Sequence, residues 1–225
     1  MTPGVLQNVS STPQKQPAPN NAFSIIINIY VIYNISIFMS PKFKILDKKN
    51  IHDGFFKMNE VTLKFKKYDG NWSNEIKREL FGGAQVSAVL PYDPINKKIV
   101  LIQQFRPGTI SKDNQNYLDE IVAGIIDPGE TPEDTAKREC LEETGCEISN
   151  LSSIQGYFPA PGSSESFYNL FLGEVIAPDK EIIRGLENEN EDILVKSYSF
   201  DEVKTKMNKK EILNGLTLIA LQWFF

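Results

Sequence analysis

The chain has 225 residues, with 24 lysines and arginines against 29 aspartates and glutamates, one histidine, two cysteines and a formal net charge of -5. That length supports one substantial domain or two small ones, and mild acidity without a lysine and arginine block disfavours a nucleic-acid binder and suits a divalent cation. His52 alone leaves no Cys/His zinc cluster and no Ser/His/Asp triad, while Cys140 and Cys146, outside any CxxC or disulfide framework, read as small buried residues of a reducing compartment.

Residues 1 to 21 are polar, rich in Pro, Asn, Gln and Ser, and read as disordered. Residues 22 to 39, AFSIIINIYVIYNISIFM, are uncharged and β-branched, but short for a bilayer and interrupted by Asn28 and Asn34. Insertion of 22–39 would make a weak N-terminal anchor, and Lys42, Lys44, Lys48 and Lys49 would then keep the folded part cytoplasmic. Every acidic residue follows Met39, which makes it a candidate true start. Residues 1–40 are therefore read as a disordered or apolar extension, dispensable or not native, and 41–225 as one cytoplasmic domain with an N-terminal β subdomain at 54–82.

From residue 54 the pattern is α+β. Val61, Leu63 and Phe65 alternate with polar residues, and YDGN at 68–71 turns into a strand carrying Arg78 and Glu79, a predicted hairpin. VSAVLPYD and KKIVLIQQF flank Pro94 as two strands, YLDEIVAG reads as one short strand, and ISNLSSIQGYF, FYNLFLGEV and DILVKSYSF supply more. Helices are predicted at 201–208 and 215–224, the latter burying Leu216, Ile219, Ala220 and Trp223.

Between them lies GIIDPGETPEDTAKRECLEETGC, residues 124–146. Thr131 is a good N-cap, Pro132 suits the first helical position, Asp134 completes a capping box and Gly145 closes a helix over 132–144. At 100° per residue Glu139, Glu142 and Glu143 share one arc, while Cys140 and Leu141 point towards the core. Like charges so placed repel unless something positive faces them, either Arg138 or a metal ion.

Gly124, Glu130, Arg138, Glu139, Glu142, Glu143 and Gly145 stand at the offsets of the signature of the Nudix hydrolases, which this chain resembles. Seven residue types at fixed offsets arise by chance on the order of once in a billion starting points. The resemblance spans about residues 54 to 224 through GFF at 54–56, FPAPGSSE at 158–165 and GLENENEDI at 185–193, and is greatest to the ADP-ribose pyrophosphatase branch. It implies a Nudix fold, a mixed β-sheet sandwiched between helices with the N-terminal β hairpin contributing to a homodimer. It also implies Mg²⁺, or Mn²⁺, hydrolysing the pyrophosphate of ADP-ribose to AMP and ribose 5-phosphate. GDP-mannose hydrolysis, or a non-catalytic module sensing ADP-ribose or NAD, are the alternatives.

Residue by residue, the resemblance implies metal held by the Ala123 backbone oxygen, Glu139, Glu143 and Glu191, with Glu189 as general base and Glu142 as the rival base. Glu130 would brace the loop. Phe55 and Phe56 would line the adenine site, and Arg78, Glu79, Arg106, Ile125, Ala160, Pro161, Gly162 and Glu165 would contact substrate, some across the dimer interface. Gly83 departs from the family, which often has an arginine there.

Overall fold

The computed structural model describes residues 42–112, 116–185 and 191–225. Its described residues divide into two compact units, one holding 42–44 with Lys64–Asn74, the other those within Ile45–Leu63 and Glu75–Phe225. In the first, the Lys44 and Lys66 ammonium groups each lie 4.7 Å from the centre of the Trp72 ring. Gly70 takes φ +83° in the turn, a left-handed conformation that glycine adopts without steric cost.

Strands β1 (Phe43–Asp53), β2 (Lys57–Phe65) and β3 (Ile76–Phe81) form a sheet in the order β1-β2-β3. The expected β2–β3 hairpin is present, with Val61 opposite Arg78. It is joined by β1, which the sequence did not announce because all eleven of its residues are exposed and no alternation marks it.

The second sheet contains β4 (Gln85–Asp93), β5 (Lys98–Phe105), β6 (Tyr117–Glu120), β7 (Val122–Ile125), β8 (Asn150–Tyr157), β9 (Phe167–Glu174), β10 (Ile182–Arg184) and β11 (Ile193–Ser199). Its order is β10-β11-β5-β4-β9-β8, with β6 on β5 and β7 on β4. The β4–β9 pair is parallel and the other described pairs are antiparallel, so the sheet is mixed as expected. YLDEIVAG is two strands rather than one. The ladder breaks at Ile121, whose N–H donates to the Thr217 hydroxyl, so β6 continues β5 while β7 turns to β4.

Three helices, α1 (Pro132–Thr144), α2 (Phe200–Asn208) and α3 (Gly215–Phe224), pack on this sheet. Alternation along β5 sends Val100 and Ile102 to the α1 side, with Ala136 and Cys140, and Ile99 and Leu101 to the α2 and α3 side, with Val203, Ala220 and Leu221. Each fully buried Val, Leu or Ile among them contributes about 1.5–3 kcal/mol relative to exposure. Of the predicted stripe of α3, Ala220 is fully buried and Leu216 and Ile219 pack partly buried against the core, whereas Trp223 is exposed and Thr217 and Leu221 complete the buried face. GLTLIALQWF is apolar nearly all round, so periodicity does not choose its face. Among the described residues no helix is long and apolar enough to cross a membrane; residues 22–39 lie outside them.

Candidate active site

Helix α1 begins as its sequence dictates. The Thr131 hydroxyl accepts from the Asp134 N–H, the Asp134 carboxylate accepts from the Thr131 N–H, and Pro132 follows at the first position. Gly145 ends it at φ +73°. Ala136, Cys140 and Glu143, at i, i+4 and i+7, form the core stripe together with Thr135 and Thr144. Leu141, expected inside, is 47% exposed, since it lies a full 100° past Cys140 and off that stripe.

Arg138 compensates most of the acidic cluster. Its Nε and Nη2 donate to the two Glu130 oxygens at 2.8 and 3.0 Å, and its Nη1 donates to Glu139 Oε1 at 2.8 Å and Glu142 Oε2 at 3.1 Å. Glu130 also accepts from the Thr135 hydroxyl, and these bonds lower its carboxyl to about 2. The predicted brace is thus a fork across the start of the helix.

Glu143 has no such relief. Burial pushes its carboxyl well above the usual range, the charges of Glu139 and Glu191 add to the push, and Arg106 and the Ala123 amide oppose it. Its Oε2 finds no hydrogen-bond donor among the described residues. Burial likewise raises Glu139, against the pull of Arg138. The Glu139 carboxylate lies over Gly124, where a Cβ would overlap it, so the first glycine of the signature gives that carboxylate its room.

Among the described residues no three acids already converge as a metal-binding group. Even so, a buried carboxylate oxygen without a donor, pressed by two neighbouring carboxylates, is a hard anionic donor that suits Mg²⁺ or Mn²⁺. Glu191 faces this cluster, whereas Glu189 lies outside the described residues.

A cleft of about 650 Å³ opens beside the cluster. Arg106, Ala123, Gly124 and Ile125 line it, as do Glu120, Tyr157, Tyr168 and Asn214, which the sequence reading left out of the site, and Leu216, expected only as a core residue of the last helix. Arg106 forks onto Glu120, Nε to Oε1 at 3.0 Å and Nη2 to Oε2 at 2.8 Å. Glu120 stands immediately upstream of the signature segment, and Asn214 is legible as the N-cap of α3, accepting from the Thr217 N–H; the two tyrosines carry no such signal.

The other candidate residues fall elsewhere. Phe56 and Ala160 line a second cleft of about 340 Å³ with Phe81, Ser163, Ser164 and Ser166. Phe55 is 89% exposed, its ring edge-on to Phe56 at 4.9 Å. Arg78 and Glu79 are exposed on β3 and line neither cleft. Ala160, Pro161 and Gly162 make a turn in which the Ala160 carbonyl accepts from the Ser163 and Ser164 N–H groups, and Glu165 pairs with Lys48 at 2.9 Å. A Cβ on Gly83 would overlap the Glu165–Ser166 backbone, so the arginine the family often has there does not fit this packing.

The NUDIX domain model matches residues 83–216. The ADP-ribose pyrophosphatase of Haemophilus influenzae is 34% identical over 192 residues, 84% of this chain and 88% of that protein. The ADP-ribose pyrophosphatase of Escherichia coli (strain K12) is 32% identical over 180 residues, 80% of this chain and 86% of that protein. The crystal structure of an ADP compounds hydrolase superposes with a TM-score of 0.64 at 21% identity, covering 82% of this chain and 94% of the other, a likeness of fold. A domain match over more than half the chain, a mixed sheet between helices, and a signature helix whose acids surround a buried carboxylate agree: the chain belongs to the Nudix family.

Proposed function

We propose that this chain hydrolyses the pyrophosphate bond of ADP-ribose, consuming one water and releasing AMP and ribose 5-phosphate, with Mg²⁺ or Mn²⁺ as cofactor. The observation that carries the reading is Glu143, buried in the core stripe of α1 with an unpaired oxygen and pressed by Glu139 and Glu191. Glu139, Glu143, Glu191 and the Ala123 backbone oxygen hold the metal. When bound, the cation neutralises the diphosphate and lowers the pKa of an attacking water. Arg106 grips phosphate oxygens from the cleft wall, while Ile125, Tyr157 and Tyr168 restrict water there.

Glu189 takes the proton of the attacking water. The bond from Arg138 that already engages Glu142 supports Glu189 over Glu142 as base. Phe55 and Phe56 stack on adenine, and Arg78, Glu79, the Ala160-Pro161-Gly162 turn and Glu165 complete the substrate site within a homodimer. Their position away from the cleft in the single chain supports a contribution to the other subunit's site.

Product analysis from ADP-ribose with and without Mg²⁺, alongside Glu143→Gln, tests the reading. We expect AMP and ribose 5-phosphate only with the cation, and at least about a hundredfold loss of turnover in the folded variant. Near-normal turnover in the variant would remove the metal assignment. A large kcat/KM preference for GDP-mannose, or tight ADP-ribose binding without AMP release, would replace the activity itself.

A further inference from the structure

Arg106 is pinned at its backbone before its side chain does anything. It follows β5 directly, and its N–H donates to the Asn116 carbonyl, extending a ladder in which Phe105 pairs with Tyr117, Gln104 with Leu118 and Ile102 with Glu120. Residues two apart share a face of a strand, so Arg106, Gln104 and Glu120 lie on one side of β5 and β6. Four register steps, roughly 13 Å of strand, separate the Arg106 and Glu120 backbones, so the two long side chains reach towards each other across the Gln104–Leu118 pair.

They meet in a fork. Glu120 spends both oxygens on Arg106, and its side chain is 7% exposed against 42% for the arginine. Arg106 spends Nε and one Nη2 hydrogen, which leaves both Nη1 hydrogens and the outer Nη2 hydrogen to the cleft. The other acids that act on Arg106 are Glu143 and Glu191. A guanidinium not held by Glu120 would turn to those carboxylates, which the proposed function assigns to the metal.

Asp119 secures the other side. It points to the opposite face of β6, where it accepts from Lys206 Nζ at 2.9 Å and Gln103 Nε2 at 2.7 Å, so consecutive acids fix the strand from above and below.

We propose that Glu120 is a positioning residue that aims Arg106 at the diphosphate of the substrate and holds it away from the metal-binding carboxylates. The inference rests on the reading that the cleft takes a diphosphate. Glu120 acts through Arg106, on which each of its oxygens is engaged. A restrained arginine grips an anion with less loss of side-chain freedom than a loose one.

The test is a double-mutant cycle of Glu120→Gln and Arg106→Ala, read two ways: KM and kcat on ADP-ribose with Mg²⁺, and calorimetric binding of inorganic pyrophosphate with Mg²⁺. Thermal unfolding checks that each variant is folded. We expect E120Q to raise KM and weaken pyrophosphate binding by at least about tenfold, with kcat changed less than about threefold. In the R106A background the same substitution is expected to have no further effect. Effects that multiply, or a loss in kcat at unchanged KM, would overturn the inference by showing that Glu120 acts independently of Arg106. Should E120Q not fold, Glu120→Asp, which keeps the charge but is too short for the fork, is run through the same cycle with the same outcomes decisive. Wild-type protein that releases no AMP would defeat the proposed activity, and the pyrophosphate cycle would still judge the positioning role.

Discussion

Glu143 carries a charge where α1 would otherwise place an aliphatic side chain, three residues past Cys140 on the stripe that faces the sheet. Its folded pKa is raised above the usual 4.5, so between those two values the native state holds a proton that the unfolded chain releases. Its unfavourable contribution is therefore absent below 4.5 and grows as pH rises through the raised value. Metal-free wild-type protein in chelator should lose melting temperature over that window, and Glu143→Gln should lose less and melt higher near neutral pH. Parallel melting curves of the two proteins against pH would contradict the burial of this charge. Gly124→Ala addresses its neighbour: the added methyl overlaps the Glu139 carboxylate, and turnover should fall by at least about tenfold at nearly unchanged melting temperature. At this scale the helix acids were legible because spacing alone groups Glu139, Glu142 and Glu143, whereas the Glu130 brace was legible only through the family resemblance. That Glu143 is the buried one depends on which side of α1 meets β4 and β7, which spacing does not say.

The helix that presents these residues owes its start to a few polar groups. Thr131→Ala removes the capping box and should destabilise the protein by about 1 kcal/mol, readable as a lower melting temperature with kcat retained at low temperature. Caps of this kind are local chemistry, and α1 and α2 end close to where the sequence puts them, α2 behind a second box of Ser199 and Glu202. Strands β4, β5, β8, β9 and β11 were legible from apolar runs and turns. What escaped needs tertiary structure. β1 has no buried side, β10 is three residues long, and the break at Ile121 exists because Thr217 takes its amide. Arg106, Ala123 and Ile125 were legible as cleft residues, but the rest of the wall escaped for the same reason, since Tyr157, Tyr168 and Asn214 reach it from elements far apart in sequence.

At the scale of the molecule, the separation of Phe55, Arg78 and Glu79 from the main cleft turns the proposed dimer into a test. If these residues serve the other subunit, chains carrying Arg78→Ala and chains carrying Glu143→Gln should each be poorly active alone and regain activity when refolded together. In the mixed dimer one site has an intact Glu143 and receives an intact Arg78. Sedimentation should show a dimer throughout, and no recovery on mixing would place Arg78 outside the partner's site. The order of the sheet also governs how the molecule comes into being. β9 pairs in parallel with β4 and lies between β4 and β8, so the middle of the sheet is completed by residues translated well after α1. A chain emerging from the ribosome therefore carries its acidic helix with β4 and β7 already made, but before β9 and β11 close the sheet around them. Such nonlocal closure favours folding in milliseconds to seconds rather than microseconds, and the proposed cation site should form late, when β9 slots home.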